Sequence, residues 1–243
     1  MDEKRFLQLE KQVTQHGHAL QTIQPGFPSG PQSIHRRLAL PIPLGSLSIG
    51  ATTWLLGLLI LHARGTKSPQ GVILTGLPFG AFFTLLCGVG ELFSGNTFGC
   101  ALYLNVGAII FGLCLPFLPW TTVTSAFGAL ENGNAKAAVE DVDVATGMYL
   151  LVIWGTLFVL LIAAQRTAIS VVSGLLTINL VAITLGIGLM TGSEACLTAG
   201  GAFLITVSFI LFYNATALLL LEVGHPLARY MPLGSLAPKQ HAH

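Results

Sequence analysis

The fold is decided by residues 72–118, VILTGLPFGAFFTLLCGVGELFSGNTFGCALYLNVGAIIFGLCLPFL, in which two apolar runs flank one short polar segment. Each run is close to the length of about 20 residues that an α-helix needs to cross a hydrocarbon core. The polar segment at 91–99, ELFSGNTFG, keeps a carboxylate, an amide and a hydroxyl close together. Because backbone groups in lipid must be hydrogen-bonded within the chain, each run is predicted to be a membrane-spanning helix.

The composition of the whole chain extends this prediction. Of its 243 residues, 53% are hydrophobic and only 9% are charged, whereas soluble domains carry about 25% charged residues. The formal net charge is +1, so no strongly basic surface for nucleic acid is expected. The sequence therefore indicates an all-α membrane protein whose surroundings are a lipid bilayer.

Six apolar stretches are long enough to cross a bilayer. They lie at about 44–62, 72–92, 97–118, 146–164, 169–191 and 198–222. The runs are continuous rather than alternating, which favours helices over barrel strands. We predict a six-helix transmembrane domain over residues 40–223, between an N-terminal tail (1–39) and a C-terminal tail (224–243).

The N-terminal tail has two parts. Apolar residues recur every three or four positions between 3 and 23, which predicts a short amphipathic helix. Residues 24–34, QPGFPSGPQSI, have the composition of a flexible linker. Two alternatives stay open for the first part: a disordered tail with accidental spacing, or a small bundle that joins protomers.

Lys and Arg residues near the spans set the expected orientation. Six spans place both termini on one side, where five basic residues stand against three on the opposite side. The first group is Arg36, Arg37, Arg166, Arg229 and Lys239, and the second is Arg64, Lys67 and Lys136. We therefore predict a multi-pass plasma-membrane protein with both termini in the cytoplasm.

The first span begins with a proline-rich sequence, LPIPLGSL at 40–47. Proline at a helix start is common because its missing N–H would have no partner there. After Pro43, the amides of Leu44, Gly45 and Ser46 are predicted to be free and to favour an anion. These four residues are candidates for substrate binding.

The third span begins at GNTFG, residues 95–99. Asn96 is a good helix N-cap, and Thr97 follows it. Because odd-numbered spans begin on the same face, the tips of the first and third helices are predicted to share a vestibule that attracts a small acid. Asn96 and Thr97 are therefore further substrate-binding candidates. The alternative is that they only cap a helix.

Ionisable residues within spans are costly and are therefore functional candidates. Glu91, at the end of the second span, and Asn105, within the third, are candidates for a proton relay or a structural role. Three asparagines lie inside spans, and each is predicted either to hydrogen-bond a neighbouring helix or to line a pore: Asn105, Asn179 and Asn214. No Lys or Arg lies deep within a span, so an anionic solute has no buried cation to neutralise it.

The sequence gives little support for an enzymatic function. The seven histidines lie in tails or at span ends, and neither HExxH nor GxSxG occurs, so nucleophilic and metal-assisted hydrolysis lack their usual groups. The four cysteines form no CxxC pair and are interpreted as small packing residues: Cys87, Cys100, Cys114 and Cys196. We expect no enzymatic activity, no metal and no cofactor.

Three motifs together resemble the acetate uptake transporter family, which includes bacterial succinate–acetate/proton symporters and fungal acetate and ammonia-export proteins. PIPLG at 41–45 resembles the family's Asn-Pro-Ala-Pro-Leu-Gly signature. ELFSGNTFG resembles its acid-spacer-Gly-Asn-Thr-Phe-Gly segment, and LARYMPLG at 227–234 resembles its Leu-Pro-Ile-Gly ending. The resemblance runs from about Leu40 to Gly234.

The resemblance implies a hexameric ring of six-helix protomers, each with its own path for acetate or a similar carboxylate, commonly with protons. It also implies an apolar constriction formed by the first, third and fifth helices. By position, Ile49 and Val106 belong to it, with Leu176 or Ile178 on the fifth helix. The chain departs from the family at Leu40 and Ile42, which replace Asn and Ala, and at Val106, where an aromatic is common.

Three hypotheses for function follow. The first is a transporter or channel for small monocarboxylates such as acetate, coupled to protons. The second is a passive facilitator of neutral solutes such as ammonia, urea or short alcohols, which the changes at Leu40 and Val106 favour. The third is a non-transporting membrane scaffold that recruits partners through residues 1–34.

Overall fold

The computed structural model describes residues 39–66, 69–118 and 134–234, together with positions 121 and 126. Within these residues, six helices are long and apolar enough to cross a membrane. They are α1 (Ile42–Ile60), α2 (Pro69–Phe93), α3 (Thr97–Cys114), α4 (Ala135–Ala164), α5 (Ile169–Thr191) and α6 (Glu194–Glu222). The predicted all-α membrane fold is confirmed. The amphipathic helix and linker predicted between 3 and 34 lie outside the described residues.

Two helices begin earlier than their apolar runs do. The side chain of Asn134 caps α4 by accepting from the amides of Lys136 (3.2 Å) and Ala137 (3.4 Å), so the helix starts at Ala135 rather than near 146. At 30 residues, α4 is about 45 Å long, whereas a hydrocarbon core is about 30 Å thick. Its first turns therefore extend beyond the core, where polar residues are tolerated. Ser193 caps α6 in the same way through the Cys196 amide.

Helix α2 contains a widened segment. Residues Gly76–Phe83 form a π-helical stretch around Pro78, because proline has no N–H and its ring clashes with the carbonyl four residues earlier. Threonine hydroxyls satisfy two of the local carbonyls: Thr52 of α1 donates to Thr75 O (3.2 Å), and Thr84 donates to Phe79 O (3.2 Å). The irregular backbone is thereby hydrogen-bonded at membrane depth, as lipid requires.

The six helices pack against one another in chain order, and α6 closes on α1. Glycines mark the close approaches. A Cβ atom on Gly57 of α1 would lie 3.0 Å from the Gly201 carbonyl of α6, and one on Gly147 of α4 would lie 2.7 Å from the Gly186 carbonyl of α5. Small residues at such crossings bring helix backbones together in membranes. The closed order encloses an interior between the helices.

The chain after α6 turns back onto the bundle. The amide of Ile169, at the start of α5, donates to Gly234 O (3.0 Å), and the Tyr213 hydroxyl donates to Pro232 O (2.9 Å). The described part of the C-terminal tail therefore covers the first turn of α5 rather than extending away from the protein.

Candidate functional site

An internal cavity of about 720 Å³ lies at the end of the bundle where α1, α3 and α5 begin. Its walls come from α1, α2, α3, α5 and α6, with Leu233 of the returning C-terminal segment at the rim. Among the described residues that line it, the acids are Glu91 and Glu222, and none is Lys, Arg or His. The described part of the lining therefore presents no cationic side chain to a solute.

Glu91 and Asn96 are hydrogen-bonded to each other at the open end of this cavity, which we call the mouth. The Asn96 side-chain amide donates to a Glu91 carboxylate oxygen, and the Asn96 backbone N–H donates to Glu91 O (3.0 Å). Asn96 Oδ1 also accepts from the Gly99 amide (3.1 Å), which confirms the predicted N-cap. Glu91 is 1% exposed, and its second oxygen, Oε1, has no hydrogen-bond partner among the described residues. The pair thus joins the end of α2 to the start of α3.

The prediction of free amides at the tip of α1 is wrong for two residues. The N–H groups of Leu44 (3.0 Å) and Gly45 (3.4 Å) both donate to Pro41 O. The reason is that α1 begins at Ile42, so these amides lie inside its first turn. The Ser46 amide lies one residue further into the helix.

Residues 43–46 at the start of α1 also differ in whether they line the cavity. Leu44 is 39% exposed and does not line the cavity, and buried Pro43 does not line it either. Gly45 makes room for a neighbour, because a Cβ there would lie 2.5 Å from Tyr103 Cε1. Of the predicted substrate-binding residues, Ser46, Asn96 and Thr97 line the cavity.

A second group of polar side chains lines the same cavity, and most of these residues were not predicted from the sequence. Ser46 Oγ lies 3.2 Å from the Tyr103 hydroxyl, which also lies 3.4 Å from Ile42 O. Ser170 and Asn214 line the same cavity, and both are buried. Tyr103 and Ser170 carried no motif, since a single tyrosine or serine in a span is an ordinary packing residue.

The three span asparagines behave differently. Asn179 donates to Leu157 O of α4 (3.2 Å), as predicted for a contact between helices. Asn105 instead donates to Ala101 O of its own helix (2.8 Å) and is exposed on the outside. The prediction that Asn105 contacts a neighbouring helix or lines the pore is therefore wrong within the described structure, and its position does not suit a proton relay. Asn214 faces the cavity.

Apolar side chains close the deep end of the cavity. Ile49 of α1 and Val106 of α3 belong to one buried cluster, against which Ile178 of α5 packs, and all three line the cavity. We call these three residues the floor. Leu176, the other fifth-helix candidate, is 51% exposed and lies outside the cavity. Of the two registers left open on this helix, the structure places Ile178 on the lining face.

Known proteins show the same sequence pattern and fold. The model of the GPR1/FUN34/yaaH family matches residues 20–225. Ammonia transport outward protein 2 of Saccharomyces cerevisiae is 28% identical over 81% of this chain, and acetate permease A of Emericella nidulans is 26% identical over 80%. The chain spans 66% and 65% of the length of these two relatives.

A solved structure, that of the bacterial acetate channel SatP, matches with a TM-score of 0.66 at 21% identity, covering 82% of this chain and 100% of that one. This similarity shows a shared fold. The names of these three proteins describe transport rather than catalysis, in agreement with the predicted class. Because the family model covers most of the sequence, the chain belongs to the GPR1/FUN34/yaaH family.

Proposed function

We propose that this protein carries small monocarboxylates such as acetate across the membrane, each together with a proton. One observation supports this most strongly: a cavity with a polar mouth, an apolar floor and, among the residues that the structure describes, no cationic lining side chain. A charge at mid-membrane costs at least about 2.5–3.5 kcal/mol, whereas a neutral acid crosses an apolar constriction at much lower cost. The solute therefore passes the floor with its charge neutralised.

The N-terminal end of α3 attracts a carboxylate to the mouth of the cavity. The amides of Gly99 and Cys100 are bonded to Asn96. Thr97 and Phe98 also line the mouth. They are the first two residues of the helix, so their backbone N–H groups have no acceptor within it. Together with the helix dipole, these groups favour an approaching carboxylate. The tip of α1 contributes less, since Pro41 O occupies its Leu44 and Gly45 amides.

Similarity to named proteins supports the choice of solute. Acetate permease A and the acetate channel SatP are both named for acetate. The departures from the family signature at Leu40 and Ile42 lie at the cavity rim, where both residues line the wall. They are positioned to change which carboxylate enters, whereas the third departure, Val106, lies in the floor.

We further propose that both termini are cytoplasmic, that the protein resides in the plasma membrane and that it assembles as a homohexamer. The excess of basic residues on the terminal side supports the orientation. The exposed apolar side chains of α4, such as Val152 and Val159, offer a surface to lipid or to a neighbouring protomer. Native mass spectrometry of the detergent-solubilised protein tests the oligomer, and a monomer in mild detergent would contradict it.

The transport proposal is tested with purified protein in liposomes, using radiolabelled acetate and an inward proton gradient. We expect uptake well above that of protein-free liposomes, and a marked decrease when the gradient is removed at a constant external acetate concentration. Uptake equal to the protein-free value would contradict transport. Uptake that ignores the gradient would contradict proton coupling.

A passive facilitator of ammonia or other neutral solutes is the second candidate. Val106 at the floor is small for a position where an aromatic is common in the family, and one relative is named for outward ammonia transport. Parallel swelling assays with ammonia, urea and acetate discriminate, because a passive pore shows no proton dependence. The scaffold hypothesis depends on residues 1–34, which lie outside the described structure.

A further inference from the structure

The cavity is much larger than acetate requires. Its volume of about 720 Å³ lies within the range of about 300–1,000 Å³ that is typical of sites for drug-sized ligands. A water molecule takes about 30 Å³ in the liquid, so this volume corresponds to about 24 water molecules. Acetate, a carboxyl group with a single methyl group, therefore fills only a small part of the cavity.

One side of the cavity is apolar from the mouth to the floor. It is formed by α3 and α5, and we call the four residues that line it the apolar wall: Phe98, Leu102, Val171 and Leu175. Leu175 belongs to a buried cluster between α4 and α5, and the other three wall residues pack against that cluster. Leu102 also packs against the cluster that contains Ile49 and Val106 of the floor. The apolar wall is therefore continuous with the floor.

The apolar wall has the length of a medium alkyl chain. On α3, Phe98, Leu102 and Val106 recur every four residues and so share one helix face. At about 1.5 Å per residue, this face runs about 12 Å inward from the mouth, and the lining face of α5 from Val171 to Ile178 runs about 10 Å. An extended peptide, with three backbone bonds per residue, advances about 1.2 Å per bond. The wall thus accommodates about eight carbon atoms in a row.

The lining offers no partner for a second carboxylate. The acids among the described lining residues are Glu91 and Glu222, and Lys, Arg and His are absent from this set. A solute with a second charged end would place that end against acids or against the apolar wall, and a charge without a partner is costly in either place. An alkyl group, in contrast, is removed from water at the same wall.

We propose that the preferred solutes are unbranched monocarboxylic acids of about four to eight carbon atoms, from butyrate to octanoate, and that the apolar wall binds their alkyl chains. This inference rests on the proposed function and deepens it by naming the solute class of the same path. The carboxyl group stays at the mouth, while the alkyl chain lies between α3 and α5 and points toward the floor. Acetate has too short a chain to cover the wall, so it binds more weakly than the longer acids.

The test measures how unlabelled acids compete with radiolabelled acetate for uptake into liposomes that contain the purified protein. The pH is clamped at one value on both sides with nigericin and equal potassium, because longer acids cross lipid unaided and would discharge a proton gradient. Each methylene group added between propionate and octanoate should lower KI about three- to four-fold, since it is buried against the wall. Adipate, which has the length of hexanoate and a second carboxyl group, should compete at least about ten-fold more weakly.

Variants of the wall separate binding in the cavity from partition of the acids into lipid. Leu102→Asn and Val171→Thr make the wall more polar, and each should raise the ratio of the hexanoate KI to the acetate KM about three- to ten-fold. Val172→Thr is the matched control, because Val172 is adjacent in α5 but does not line the cavity. Its ratio should equal that of the wild type. The Tm in detergent verifies that each variant is folded.

Three results would overturn the inference and leave the proposed function intact. The first is a KI that does not fall as the alkyl chain lengthens, and the second is a wild-type ratio in folded Leu102→Asn and Val171→Thr. The third is adipate that competes as well as hexanoate. Failure of the wild-type protein to take up acetate would instead refute the proposed function. A rise in Tm with hexanoate that is smaller in Leu102→Asn than in Val172→Thr would then still support the wall, and equal rises would overturn it.

Discussion

The mouth and the floor of the cavity contrast in how their side chains interact. At the mouth, Glu91 and Asn96 are bonded to each other and to the backbone, so polar groups form part of the wall. At the floor, Ile49, Val106 and Ile178 meet through apolar contacts alone. A solute that follows the proposed path would pass from a region that tolerates charge into one that does not, within a single cavity.

This difference indicates where selectivity arises. A helix tip attracts an anion only where its amides remain unpaired, which holds for α3 but not for Leu44 and Gly45 of α1. Under the proposed function, the mouth therefore increases the local concentration of acids. Under the same proposal the floor selects by charge and by size, and it is the region where substitutions are expected to have the largest effect.

The largest effect is expected from a tryptophan in the floor. Ile178→Trp fills the space between α1, α3 and α5, and acetate uptake should fall at least about 10-fold, with an overpacking cost of about 1–3 kcal/mol in stability. Leu176→Trp is the matched control, because Leu176 is exposed outside the cavity. Uptake measured for both variants decides between the two registers, and a loss only in Leu176→Trp would show that the floor is assigned wrongly.

A second prediction concerns the carboxyl at the mouth. Glu91→Ala leaves the half-buried Asn96 amide without its carboxylate partner and should destabilise the protein by about 1–3 kcal/mol, measured by thermal unfolding in detergent. Glu91→Gln keeps an acceptor for Asn96, so stability should stay within about 1 kcal/mol of the wild type.

The same Gln variant distinguishes a structural tie from a proton relay. Because no charge is needed at the mouth for a neutralised solute to cross the floor, acetate uptake by Glu91→Gln should remain within about two-fold of the wild type. A folded Glu91→Gln protein that no longer responds to a proton gradient would show that Glu91 is a relay.

A smaller effect is expected from widening the floor. Val106 is 3% exposed, and Val106→Ala removes about two methyl groups from the constriction, at a stability cost of about 1–2 kcal/mol. Urea flux should rise several-fold while acetate uptake changes little. Unchanged urea flux in a protein of normal acetate activity would place the size limit elsewhere in the path.

The smallest effect is expected at the rim. Leu40 lines the cavity wall where the family signature has an asparagine, so Leu40→Asn restores an amide donor for an arriving carboxylate. Because an exposed hydrogen bond contributes about 1 kcal/mol at most, acetate uptake should rise by only about two- to five-fold. A decrease would mean that the leucine itself suits the natural solute.

Much of the fold followed from the sequence because lipid demands long apolar helices. The first residues of α4 and α6 did not follow from hydropathy, because the first turns of these helices extend into water. The sequence signal at these positions is the capping side chain, Asn134 or Ser193. The π-helical stretch of α2 depends on how Pro78 packs against its neighbours, which a hydropathy window does not register.

The site was only partly predictable. The GNTFG segment identified the mouth because a cap and its amides are local in sequence. Tyr103, Ser170 and Asn214 converge through the packing of three helices, and sequence spacing alone does not reveal which faces meet. The amides of Leu44 and Gly45 were predicted to be free, but both donate to one carbonyl, that of Pro41.

The central claim is that the solute crosses the floor without net charge. Its most direct test is the initial rate of acetate uptake in liposomes across a pH series, measured once at constant acetic acid and once at constant total acetate, with protein-free liposomes subtracted. The account predicts a constant rate in the first series and a fall of about tenfold per pH unit, above the pKa of the acid, in the second. A rate that follows the acetate anion in both series would contradict it.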